Sequence, residues 1–112
     1  MTILLAAIPS LLTTAVNVVA IDVVLGKLTH SRTYASQVVA ATNNTGYPIR
    51  TLKLQCAFYR DRELLAFGRS AADNVPDGQT VYVEVVADLL SDEKAAVVNR
   101  TDCEVVDMIW QE

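Results

Sequence analysis

Residues 49–59 constrain this chain more than any other stretch. Leu52, Leu54, Cys56 and Phe58 fall on one parity, and Lys53, Gln55, Ala57 and Tyr59 on the other. A period of two over ten residues predicts a strand with one face on a core and one toward solvent. Such a strand needs an apolar partner layer, so the rest of the chain must supply one.

The flanking sequence does so in short pieces. Residues 21–28 are β-branched and apolar, residues 36–43 centre on Val38-Val39-Ala40-Ala41, and residues 80–87 alternate Val81, Val83 and Val85 with Tyr82 and Glu84. Leu64-Leu65-Ala66-Phe67 starts another strand, and residues 100–109 form the last, with Cys103 and Val105 on one face. Between them lie turn signals: Thr29-His30-Ser31-Arg32, Asn43-Asn44-Thr45-Gly46, Arg60-Asp61-Arg62 and Asn74-Val75-Pro76-Asp77-Gly78. Asn and Gly reach positive φ cheaply, and Asn and Asp side chains bond nearby backbone. Ser91-Asp92-Glu93-Lys94 reads as a capped helical turn. Six or seven short strands without a long helical period predict an all-β fold, an immunoglobulin-like antiparallel β-sandwich.

The N-terminus is a different material. The first charged side chain is Asp22, and fifteen of the first twenty-one residues are apolar. Residues 1–20 read as a signal peptide ending at Val18-Val19-Ala20, although no Lys or Arg precedes the apolar run. An uncleaved membrane anchor and a first strand over residues 15–25 are the other readings. The expected sandwich domain is 21–112, with no membrane span in the mature domain.

The stretch 36–86 resembles the FxLYD-type immunoglobulin-like domains of bacterial extracytoplasmic proteins. The resemblance rests on Val38-Val39-Ala40-Ala41-Thr42-Asn43-Asn44-Thr45, on Cys56-Ala57-Phe58-Tyr59-Arg60-Asp61, and on the Gly78-led strand Gln79-Thr80-Val81-Tyr82-Val83-Glu84-Val85. Cys56 stands where that signature has Phe, Phe58 where it has Leu, and Arg60 intervenes before Asp61. The resemblance implies a sandwich fold, a periplasmic or secreted location, and no catalytic residues.

Composition excludes several chemistries. Nine basic against thirteen acidic residues, net −4, lack the basic face of a nucleic-acid binder. Two cysteines and one histidine cannot build a four-ligand zinc site. In an oxidising compartment Cys56 and Cys103 are expected to pair, closing a 48-residue loop. The alternative is two buried free thiols. His30 lies in a polar segment, and no Gly-x-Ser-x-Gly elbow exists for a serine triad. Asp73 and Asp77 lack the spacing of a calcium loop, and Asp77-Gly78 is explained by turn chemistry without calcium. Asn43-Asn44-Thr45 and Asn99-Arg100-Thr101 match the glycosylation pattern, by chance on the simplest reading.

Tyr59 and Tyr82 share the outward parity of two strands and are the binding-face candidates, with ordinary cross-strand pairing as the alternative. Residues 81–87 would invite strand addition if they formed an edge. The reading is a non-catalytic exported module for protein binding or scaffolding in the cell envelope, with no cofactor and no metal. Two rivals stand beside it. One is a small enzyme or accessory domain using surface carboxylates, which would gather Asp73, Asp77 and His30 in one pocket. The other is a cytosolic regulatory domain, which would keep both thiols reduced.

Overall fold

The computed structural model describes residues 20–112. The signal-peptide reading of residues 1–20 falls, but for its last residue, outside the described residues. Six strands and one short helix follow in order: β1 (Ile21–Ser31), β2 (Tyr34–Asn43), β3 (Ile49–Arg60), β4 (Glu63–Val75), β5 (Thr80–Asp88), α1 (Asp92–Val97) and β6 (Arg100–Trp110). They form two antiparallel three-stranded sheets, ordered β1-β2-β5 and β4-β3-β6. The chain crosses between sheets after β2, after β4 and after β5, which makes the predicted all-β sandwich.

Period-two patterning builds the core as expected. Leu52, Leu54, Cys56 and Phe58 of β3 are buried, as are Ala35, Val39 and Ala41 of β2 and Val83, Val85 and Ala87 of β5. Phe58 is the largest fully buried side chain. Around it lie Leu54, Val39, Val85 and Ala95 of α1, while Ile21, Ala41, Ile49, Leu52 and Val75 fill the other end. The Ser91 cap forms as predicted, its Oγ accepting from the Lys94 amide at 3.3 Å.

Two turns sit where their chemistry requires. Gly46 and Gly78 take φ of +88° and +80°, a region costly for a side chain. Asn43 is buried and holds both loops. Its Nδ2 donates to the carbonyls of Tyr47 (2.8 Å) and Val75 (3.1 Å), and its Oδ1 accepts from the Thr45 amide and hydroxyl. One expectation shifts. The turn at 29–32 lies further on, because Thr29, His30 and Ser31 continue the ladder opposite Ser36, Ala35 and Tyr34. His30 is therefore a strand residue.

The two long sides of the sandwich differ. On one side β4 and β5 meet closely. A Cβ added to Gly68 would lie 2.5 Å from the Val86 carbonyl oxygen. On the other side β1 and β6 face each other across the sandwich, and a buried side-chain bond joins their neighbourhoods. Gln37 of β2 donates from Nε2 to the carbonyls of Gly26 (3.0 Å) and Val38 (2.8 Å), and its Oε1 accepts from the Thr101 hydroxyl at 2.6 Å.

Candidate functional site

The disulfide expected from sequence is present. Cys56 and Cys103 are register partners on β3 and β6, with Cα atoms 4.0 Å apart. Antibody domains place their bridge between sheets. Here it lies within one sheet and fastens the outermost strand, β6, to the central one.

Strand pairing then assembles the outer face of the β4-β3-β6 sheet. Ala57 pairs with Phe67 on one side and Asp102 on the other; Gln55 pairs with Arg69 and Glu104; Tyr59 pairs with Leu64 and Arg100. Because side chains alternate, all of these point away from the core. Ala57 is short, so the row Phe67–Ala57–Asp102 dips in the middle. The result is a cleft of about 220 Å³ lined by Gln55, Ala57, Tyr59, Phe67, Asp102, Cys103 and Glu104. Phe67 is 55% exposed, unusual for a phenylalanine. At one end the Arg100 guanidinium lies 4.2 Å from the Tyr59 ring centroid, with Nη2 3.5 Å from Asp102. At the other end Arg69 Nε donates to Gln55 Oε1 at 2.7 Å. Beyond it a second depression, about 260 Å³, is lined by Lys53, Leu54, Arg69, Ser70, Ala71 and Val106.

The sequence candidates fare differently. Tyr59 stands in this face. Tyr82 stands on β5, in the other sheet, paired with Ala40 and 76% exposed. The shared aromatic patch is therefore not formed: equal parity on two strands gives a common face only when both belong to one sheet. The edge condition is met: β5 is an edge of its sheet, and β4 of the other sheet approaches it closely where Gly68 lies beside Val86. Four strands, β1, β4, β5 and β6, have one hydrogen-bonded neighbour each among the described residues, and of these β6 is the one held to its neighbour by the cystine.

The carboxylates do local work. Asp73 Oδ1 accepts from Thr51 Oγ1 at 3.1 Å, and Asp77 Oδ1 accepts from the Gly46 amide at 2.9 Å. His30 pairs with Ala35 at the start of β2, whereas Val75 reaches Asn43 at its end. Asp73 and Asp77 are thus at the opposite end of the sandwich from His30 and share no pocket with it. Among the described residues no group of three His, Cys, Asp or Glu converges for a metal, and no helix is long and apolar enough to cross a membrane. Both glycosylation motifs serve the fold. Asn43 is buried as described, and Asn99 exchanges hydrogen bonds with Asp61, from Nδ2 to Oδ1 and from the Asp61 amide to Oδ1.

Sequence reading missed Phe67, Asp102 and Glu104 as a group. One signal was available: Phe67, Arg69, Ala71 and Asp73 share a parity, and two of the four are charged. That pattern marks Phe67 as outward. Comparison with protein-family models, curated proteins and solved structures finds no match to this chain.

Proposed function

We propose that this chain is an exported, non-catalytic β-sandwich module of the FxLYD-like kind that meets a protein partner along β6 and the face beside it. One observation carries the reading: of the four edge strands, β6 is the one fastened to its neighbour by a cystine, which holds its free edge in place. An unpaired strand edge offers a ready row of backbone donors and acceptors to an extended segment. Side chains that turn inward beside it, Cys103, Val105 and Met108, are only half-buried. An added strand would cover them.

Export is supported by the bridge, since such bonds persist in oxidising compartments and are rare in the cytosol of mesophiles. Two measurements test the reading. Protein from its native host is alkylated with and without prior reduction and weighed intact. Blocked cysteines support export; freely alkylated ones overturn it. A photo-crosslinking residue placed at Val106 on β6, and separately at Tyr82 on the opposite sheet, tests the surface. The expected adducts form from position 106. Adducts from position 82 alone would move the interface to the other sheet and refute the assignment.

A further inference from the structure

We infer that the Phe67 cleft takes a cationic side chain, Lys or Arg, presented by the partner; this rests on the reading that the β6 side of the molecule meets a protein. The chain already shows the chemistry once. In the Tyr59 row a guanidinium lies over an aromatic ring beside Asp102. The next rows repeat the components, an exposed aromatic ring with Asp102 and Glu104, and the cleft is lined by no basic residue. Glu104 forms no ion pair among the described residues.

Each wall has a reason to favour a cation. An aromatic face attracts an ammonium or guanidinium through its quadrupole, more so when the pair is shielded from water. On the β6 wall Asp102 pairs with Arg100, while Glu104 has no ion pair among the described residues and attracts a cation, a guanidinium best because it can bind the carboxylate bidentately. The methyl of Ala57 leaves the floor low enough for a side chain to lie flat. The volume, about 220 Å³, falls below the roughly 300–1,000 Å³ of small-molecule pockets and suits one side chain better than a metabolite. The net charge of −4 steers a basic segment toward the molecule and opposes a second copy.

The test uses the disulfide-intact protein and two probes, Nα-acetyl-arginine amide and its neutral isostere Nα-acetyl-citrulline amide, followed by amide chemical shifts. The arginine probe is expected to move Ala57, Phe67, Asp102 and Glu104, with affinity in the millimolar range typical of one exposed cation contact. The citrulline probe should bind about tenfold more weakly, because it lacks the charge. Asp102→Asn with Glu104→Gln should weaken the arginine probe about tenfold, and Phe67→Leu several-fold. These positions are exposed, so the variants keep the fold. Equal shifts from both probes, or shifts centred elsewhere, overturn the cation site. A displayed library of random peptides separates this inference from the one beneath it. Peptides that bind across β6 without Lys or Arg, and are indifferent to Asp102→Asn with Glu104→Gln, refute the cation site and leave strand addition standing. Arginine-probe binding in the cleft without any peptide on β6 supports the cation site and removes strand addition.

Discussion

Gln37 offers the sharpest test of how the open side of the sandwich holds together. It is 2% exposed, and its amide joins the β1 carbonyl of Gly26 to the Thr101 hydroxyl of β6. Gln37→Leu keeps the volume but removes every one of these bonds. The Thr101 hydroxyl is then buried without its partner, and the Gly26 and Val38 carbonyls lose a donor. Gly26 is exposed, so its carbonyl can turn to water; at about 1 kcal/mol or more for each of the other two groups the cost is about 2–3 kcal/mol. Against a total of about 5–14 kcal/mol for a domain of this size, that is a large share. Urea unfolding with the disulfide intact should show the midpoint falling by about 2–3 M, if the slope is near 1 kcal/mol per M.

Two further variants sharpen the reasoning. Thr101→Val removes the other partner in nearly the same shape, so the double variant should cost less than the sum by about 1–2 kcal/mol. Gln37→Glu tests orientation. It still accepts from Thr101, but its second oxygen faces the Gly26 and Val38 carbonyls, which repel a carboxylate and favour the protonated acid. Its folded pKa is therefore raised above the unfolded value of about 4.3. The folded state then binds more protons between the two values, so stability is highest at low pH and falls as pH rises through that window. A Gln37→Leu midpoint within about 0.5 M of the parent, or strict additivity with Thr101→Val, would show that the bond network does not hold this side and refute the argument.

The other predictions follow from single contacts. Gly68→Ala places a methyl 2.5 Å from the Val86 oxygen and must push β4 from β5; urea unfolding should show a loss of about 2–4 kcal/mol. Replacing both Cys56 and Cys103 with Ala removes a link across a sequence separation of 47, worth about 4 kcal/mol in the chain-entropy model, and hydrogen exchange should rise first in β6. Asn43→Ala leaves the Tyr47 and Val75 carbonyls and the Thr45 amide without their partner, and should lower stability by about 2–4 kcal/mol in the same assay.

What the sequence disclosed and what it hid divide along a physical line. Parity within one strand is local, so Leu52, Leu54, Cys56 and Phe58 could be placed on the core side directly, and the turns and the Ser91 cap could be read from side chains bonding nearby backbone. Core-facing parity brought Cys56 and Cys103 to one face, and an oxidising compartment made their pairing the expectation, which the structure bears out. Sheet membership is not local. Tyr59 and Tyr82 carry the same alternation, yet one lies in each sheet, because the crossing after β4 depends on long-range packing. Gln37 becomes a buried bridge only because β2 crosses under β6, and Gly68 matters only because β5 lies against it; neither is visible from within its own strand.

These hidden residues together explain how the two long sides of the sandwich differ. On the β4–β5 side Gly68 brings no side chain between two backbones, so β4 and β5 approach closely there. The β1–β6 side lacks that closure and relies on Gln37 and the cystine to keep β6 in place. An edge strand with one hydrogen-bonded neighbour is ordinarily prone to fray or to pair with other copies of itself. The bridge to β3 answers the fraying. The outward charges Arg100, Asp102, Glu104 and Asp107, three of them acidic, answer the self-pairing, since a second copy would set like charges side by side. On the proposed reading, a strand held firmly, guarded against its own kind and bordered by an aromatic cleft offers its backbone groups to a basic segment, which those acids attract.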